Sequence, residues 1–251
     1  MAKNSGNSAP CVALVTGAAR RVGAVIARHL HAAGWDLALH ARTSRAELAA
    51  LAAALEGERP NSTVQLFADL ADVDALSGLV QSTVARFGRL DALVNNAATY
   101  FPTPVAAATP AQWATLFGTN VRAPYFLAQA AAPHLAAARG AIVNIVDIHA
   151  DRPPEGYSVY AMSKAALAAM TRALARDLAP EVRVNGVAPG VVLWPESGKP
   201  AAERDAVLAR TPLARAGTPD DVASAVLWLL DGASYVTGQI IAVDGGRSIV
   251  G

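Results

Sequence analysis

The sequence predicts one α/β domain, a doubly wound parallel sheet of about seven strands with helices on both faces. Three observations predict it. Short β-branched runs alternate with longer Ala- and Leu-rich runs at helical spacing through residues 11–251, with no repeat or linker between them. The short runs are almost continuously apolar, as in parallel strands covered on both sides. The helical runs are long enough to serve as crossovers, and right-handed crossovers put helices on both faces.

The first strand is expected at 12–16, where Val12, Ala13, Leu14 and Val15 are all apolar, and its helix at 22–33. The second strand, 36–40, ends on His40, and Ser44 opens a helix at 44–56. A third strand at 63–68 leads into a helix at 72–87. The fourth, 92–95, precedes one long Ala-rich helix at 110–137. The fifth, 141–147, ends on Asp147, and the helix at 156–179 carries Tyr160 and Lys164. After strand six, 183–188, comes a stretch without clear periodicity, 190–215. It holds Trp194, Pro195, Pro200, Pro212 and a short helical run at 201–210. Loops of this length are usually functional, and an exposed Trp194 suits a segment that covers a substrate. A helix at 219–230 and a strand at 239–243 close the domain. Such sheets bind ligands at the carboxyl ends of strands, near a switch in strand order. Chemistry is therefore expected just after Thr16, His40, Asn95, Asp147 and Ala188.

Composition removes several classes. Hydrophobic residues at 53% and charged residues at 16% exclude an intrinsically disordered chain. The formal charge of +1 and the lack of any basic block leave no footprint for nucleic acid. The 58 alanines, and 18 arginines against 3 lysines, look like a GC-rich coding background and carry no functional signal. Cys11 is the sole cysteine, so neither an internal disulfide nor a cysteine metal site is expected, and the expected compartment is the cytoplasm. No apolar run reaches the length of a membrane span. Residues 1–10 are small and polar and are expected to form a disordered lead-in.

The first motif is Thr16-Gly17-Ala18-Ala19-Arg20-Arg21-Val22-Gly23, between a strand and a helix. Gly17 permits a tight turn, small Ala18 and Ala19 let a ligand approach the backbone, and Gly23 allows close packing. Backbone amides at a helix N-terminus there favour a pyrophosphate, with Gly17, Arg20, Arg21 and Val22 as the contacts. After the second strand a carboxylate would select NAD by binding a ribose hydroxyl. The chain instead has His40, Ala41, Arg42, Thr43 and Ser44. Arg42 and the Ser44 hydroxyl suit a 2′-phosphate, which points to NADP(H). Tyr160 and Lys164, at i and i+4, share a helical face. An ammonium beside the phenol is expected to lower its pKa and make Tyr160 a usable acid or base. Asp147 stands 13 residues earlier, at the ligand edge, and Asn120 lies in the preceding helix.

With these residues in place, 11–251 resembles the short-chain dehydrogenase/reductase family. The matching pieces are Thr16–Gly23, Asp69-Leu70, Asn95-Asn96-Ala97, Asn120, Tyr160 with Lys164, Asn185 with Pro189-Gly190, and Asp244-Gly245-Gly246. The resemblance implies a single-domain Rossmann oxidoreductase that uses NAD(P), usually as a homotetramer. It makes Tyr160 the catalytic acid/base. It has Lys164 hold the nicotinamide ribose and Asn120 organise a proton-relay water. Asp69 and Leu70 would flank the adenine, while Asn96, Ala97, Pro189 and Gly190 would lie along the cofactor.

Two departures narrow the match. Arg21 stands where the family usually has Gly, and Asp147 where it has a catalytic Ser. Both are similar to pteridine reductases, and dihydromonapterin reductases share much of the pattern. That likeness makes Tyr100 the aromatic that stacks on a pterin or folate ring, with Arg21, Asp147, Tyr160 and Trp194 as further substrate contacts. Ala98 differs from the Ser usual in that branch. A pterin presents a donor-rich edge, which suits a carboxylate better than a hydroxyl. A reductase of another carbonyl, such as a 3-oxoacyl thioester or sugar, and an NADPH sensor without turnover are the alternatives.

Overall fold

The computed structural model describes residues 9–194, 198 and 200–250. Pro195, and residues 1–8 of the expected lead-in, lie outside the described residues. Seven parallel strands form one sheet: β1 (Val12–Val15), β2 (Asp36–Ala41), β3 (Thr63–Phe67), β4 (Ala92–Asn95), β5 (Ala141–Ile145), β6 (Arg183–Pro189) and β7 (Ile240–Val243). Their order is β3-β2-β1-β4-β5-β6-β7. The order reverses between β1, which pairs Val12 with Asp36 of β2, and β4, which sets Ala92 against Ala13.

Each strand divides its side chains between two helical layers. Ala13 and Val15 of β1 face one layer, with Ile26, Leu30, Leu48, Leu55 and Val226. These belong to α1 (Arg21–Ala32), α2 (Arg45–Glu58) and α8 (Pro219–Leu227). Val12 and Leu14 face the other, with Leu76, Leu127, Leu135 and Leu174. These come from α3 (Val73–Phe87), α5 (Ala123–Ala138) and α6 (Ser158–Asp177). Period-two geometry sends neighbours to opposite faces, and both faces of the central strands are covered, so β1 is apolar throughout and β4 and β5 are apolar but for Asn95 and Asn144.

The helices start and stop for local reasons. Asp72 accepts from the Asp74 amide ahead of α3, and Gly88 ends that helix at φ 77°. Thr109 and Gln112 form a reciprocal cap on α4 (Pro110–Phe117), and Thr218 with Asp221 does the same for α8. The short helix expected at 201–210 is α7 (Ala201–Ala209).

The structure departs from the expected elements at three places. The single helix at 110–137 is two helices, α4 and α5, separated by a π-helical turn at Gly118–Arg122. The wider turn carries Asn120, whose amide needs partners outside the helix: it is buried and bonds to Thr99 and Ser163. The last turns of the helix expected at 219–230 are also π-helical, at Trp228–Gly232. There the Arg183 guanidinium takes the carbonyls of Leu229, Leu230 and Ala233 at 2.7–3.0 Å. Strand β5 stops at Ile145, so Asp147 caps a short 3-10 turn, Ile148–Ala150, instead of ending a strand.

One polar chain crosses the apolar layers. The Asn95 side-chain amide donates to Asn144 Oδ1 (2.8 Å), its register partner on β5. The Asn144 amide in turn donates to Thr171 Oγ1 (2.9 Å) on α6. This chain fixes how α6, with Tyr160 and Lys164, sits over the sheet.

Candidate active site

A cleft of about 500 Å³ opens at the carboxyl edge of the sheet, over the reversal between β1 and β4. Four of the five strand ends where chemistry was expected supply its walls through Gly17, His40, Asp147 and Pro189, and the fifth does so through Asn96. The cleft also brings together Arg20, Arg21, Val22, Arg42, Thr43 and Ser44 with Asp69, Leu70 and Ala97. Tyr160, Lys164 and Gly190 line it too. Asn120, Tyr100 and Trp194 are not on its wall.

The glycine turn is tightly packed. A Cβ on Gly23 would lie 2.2 Å from the Gly17 carbonyl oxygen and 2.5 Å from the Asn96 amide nitrogen. Gly17 has φ +64°, with Ala97 Cα 3.0 Å from where its Cβ would be. Arg21, the first residue of α1, is left-handed at φ 54°. A non-glycine residue there costs roughly 1–2 kcal/mol. Its guanidinium donates to the Trp194 carbonyl (3.3 Å). Trp194 is half-buried under Arg204 (5.5 Å), where the sequence suggested an exposed ring.

His40 and Asn96 scaffold this turn. The Asn96 amide donates to the carbonyls of Thr16 (2.8 Å) and Gly17 (3.1 Å). The Thr16 hydroxyl oxygen accepts the amides of Asn96 and Ala97. His40 takes the Gly17 amide on Nδ1 (3.3 Å) and the Ala18 amide on its own carbonyl (2.8 Å). Burial holds the His40 pKa below the ordinary histidine range.

Beyond the turn lies an exposed polar shelf. Ser44 is the N-cap of α2, yet its side chain makes no capping bond. Arg42, 65% exposed, reaches Asp69, 52% exposed, at 3.9 Å, a pair too solvated to add much stability. Arg45 lies over the Phe67 ring (4.1 Å). A helix N-terminus flanked by Arg42, Thr43 and Ser44 is a donor set that fits a phosphate.

At the other end, the Tyr160 hydroxyl donates to Asp147 Oδ2 at 2.6 Å. Asp147 Oδ1 accepts the His149 amide at 2.9 Å. Lys164 is fully buried, and its ammonium donates to the Ile145 carbonyl (2.8 Å). Burial pulls the Lys164 pKa down to about 8, and Asp147 partly opposes this. The expected lowering of the Tyr160 pKa does not occur in this geometry. The phenol faces a carboxylate, while the ammonium is 6.0 Å from the ring centre. Burial first, and then Asp147, push Tyr160 well above the usual phenol value.

Tyr100 stacks on Tyr157 (centroids 4.7 Å, 13°) and sets its edge against Tyr160 (4.7 Å, 86°). Half of Tyr100 stays exposed. Asn120 acts at one remove: it accepts the Thr99 amide (2.8 Å) and donates to Ser163 Oγ (3.0 Å), tying the segment before Tyr100 to α6. Sequence reasoning missed Tyr157, Ser163 and the role of Thr16. Tyr157 was findable as a second aromatic three positions before Tyr160. Thr16 and Ser163 carried no signal.

A seven-stranded parallel sheet in this order, with a glycine turn at its reversal, is a Rossmann-type fold. The chain belongs to the short-chain dehydrogenase/reductase family of oxidoreductases: a family model described as enoyl-(acyl carrier protein) reductase matches residues 17–248. Pteridine reductase 1 of Leishmania tarentolae is 37% identical over 95% of this chain and 96% of its own length. The granaticin polyketide synthase putative ketoacyl reductase 2 of Streptomyces violaceoruber is 39% identical, covering 95% and 96%. A 3-oxoacyl-(acyl-carrier-protein) reductase of Thermotoga maritima is 34% identical, covering 95% and 98%. Family members use NAD(P)H. Among the described residues, no helix is long and apolar enough to cross a membrane, and no cluster of His, Cys, Asp or Glu could hold a metal ion.

Proposed function

We propose that the protein is an NADPH-dependent reductase of pteridines, taking a dihydropterin or dihydrofolate to its tetrahydro form. The observation that carries this reading is the 2.6 Å bond between Tyr160 and the carboxylate of Asp147, which stands where the family usually has a hydroxyl. The 37% identity to a pteridine reductase supports it. The cofactor reading rests on two features of the cleft. The Gly17–Gly23 approach leaves backbone where a Cβ would clash, and Arg42, Thr43 and Ser44 fit a 2′-phosphate.

NADPH, when bound, supplies the hydride. The residues of the chain handle binding and the proton. Burial and Asp147 keep the Tyr160 phenol protonated before substrate binds, and substrate that takes over the Asp147 carboxylate removes the partner that makes the phenol a weaker acid. Tyr160 gives its proton to the ring nitrogen beside the reduced carbon. Asp147 accepts hydrogen bonds from the pterin edge, and the phenolate left on Tyr160 takes its next proton from solvent through the open cleft. The buried Lys164 ammonium sets the local field from the Ile145 side. Tyr157 covers one face of Tyr100, so a flat substrate uses the other. Arg21 lines the cleft and donates to the Trp194 carbonyl beside it. Residues 11–251 act as the one NADP-binding domain, expected in the cytoplasm. Exposed Trp113, Tyr125 and Met162 on α4, α5 and α6 support a homotetramer.

The second reading, a 3-oxoacyl thioester reductase, is favoured by the relatives of that name. The test is NADPH oxidation with dihydrobiopterin, dihydromonapterin, dihydrofolate and an acetoacetyl thioester. Turnover of the dihydropterins is the expected result. Turnover of the thioester alone makes the protein a ketoacyl reductase, and turnover of none, with NADPH bound, makes it a sensor.

A further inference from the structure

The turn that lines the cleft has two anchors, and only one can change its charge. Asn96 holds the Thr16 and Gly17 carbonyls with a neutral amide. His40 holds the Gly17 amide with a ring nitrogen, Nδ1, at 3.3 Å, while Nε2 lies 3.1 Å from the Ala68 carbonyl. An amide only donates and a carbonyl only accepts. The two contacts are therefore satisfied together by a neutral ring with its proton on Nε2. The ring is 1% exposed, and no water shell helps it carry a charge. Asp69, just past β3, is the charged group whose field acts on the ring, and it favours protonation. Arg42, two residues along the chain, pairs with that carboxylate at 3.9 Å. Thr16 to Ala19, packed on its other side, bring no titratable side chain.

We propose that His40 is a positioning residue for the bound dinucleotide: a neutral clasp on the phosphate-side turn, whose protonation releases the Gly17 amide and weakens cofactor affinity. The proposal rests on the reading of the cleft as an NAD(P)H site. When Nδ1 takes a proton, two donors face each other at Gly17, and the amide must turn away. The turn then loses one of its tethers. No reacting atom is touched, so the effect falls on affinity and leaves the chemical step alone. It also acts on the part of the site that receives the pyrophosphate, which NADP and NAD share.

The test is calorimetric titration of the full chain with NADP+ and with NAD+, from about pH 8 to pH 5, for wild type and His40→Asn. Asparagine offers an uncharged acceptor near the Nδ1 position. Wild-type affinity for both dinucleotides is expected to fall about five- to tenfold as the ring charges, the worth of one hydrogen bond lost to a donor–donor contact. His40→Asn is expected to keep most of the affinity at high pH and to give a flatter profile. The 2′-phosphate of NADP+ titrates near pH 6 and adds a slope of its own. The NAD+ arm, and the difference between the two proteins, isolate the ring. Parallel profiles for the two proteins overturn the proposal. Nitrogen-15 NMR of the wild type gives a second readout that needs no variant: a neutral ring protonated on Nε2 at pH 7 is expected. A charged ring, or one protonated on Nδ1, overturns the proposal. Equal affinity for the two dinucleotides sinks only the NADP preference, and absence of binding at every pH sinks the cofactor reading itself.

Discussion

The two ends of the cleft are built on opposite principles. At the turn end, polar groups are matched donor to acceptor: Asn96 on carbonyls, His40 on amides, Thr16 on amides. At the catalytic end, groups are set against one another. Burial and the carboxylate it touches raise the phenol, and burial lowers the ammonium nearby. Matched groups give a cradle in which a charge on His40 would break a match that the neutral ring satisfies. Opposed groups push one another away from their ordinary proton affinities, the phenol up and the ammonium down. One end is a mould, and the other holds the reactivity.

The largest loss is expected from the Tyr160 end, with binding spared. Tyr160→Phe keeps ring volume and removes the donor. Turnover should drop at least about a hundredfold, while NADPH affinity stays at wild type. Single-turnover kinetics beside a binding titration check both halves, and retained turnover would assign the proton to another group.

Asp147→Ser comes next. It removes the acceptor for a pterin edge, a charge-assisted bond of roughly 1.5–3 kcal/mol, so dihydropterin kcat/KM should fall about ten- to a hundredfold. It also removes the carboxylate that raises Tyr160, whose pKa should move down. An unchanged dihydropterin rate would reduce Asp147 to a cap on the His149 turn.

At the mould end, Arg42→Ala should leave kcat alone and raise KM for NADPH by about tenfold, with little effect on NADH. Equal changes for the two cofactors would move the 2′-phosphate elsewhere.

Smallest of all is the response of Lys164 to alkali. Its ammonium is lost as pH rises through about 8, so kcat/KM should decline above that value. Stability should move the other way. The folded pKa lies below the unfolded one, so the unfolded chain binds the extra proton in the window from about 8 up to the ordinary lysine value. Folding therefore gains as pH rises through that window, and the penalty for burying the charge is in force below it. Denaturant midpoints of wild type and Lys164→Met across this range check the sign.

The sheet was legible because its central strands are covered on both faces. Mostly apolar runs such as Val12–Val15 admit little else. The break at Gly118–Arg122 was not, since an Ala-rich stretch looks continuous whatever its winding, and the cause is a contact from Asn120 to Ser163, 43 residues on. The residues around the cleft were legible from their positions after strand ends. Their partners were not. His40 looks like a ligand contact in a linear motif and becomes a scaffold only through Gly17 and Ala68. The Tyr160–Lys164 spacing puts both on one face, but it does not say that the ammonium points at Ile145 and the phenol at Asp147.

The bonds between Thr16 and Asn96 span 80 residues of chain. No stretch confined to the first two strands and helices can complete the turn, because its carbonyls wait for a segment that arrives with β4. Closing a loop of that size is slow and entropically costly until the strand between is in place. The glycine turn thus cannot be completed before β1 and β4 have paired. Added NADPH should slow unfolding and leave the early refolding rate unchanged, as stopped-flow traces with and without the dinucleotide would register.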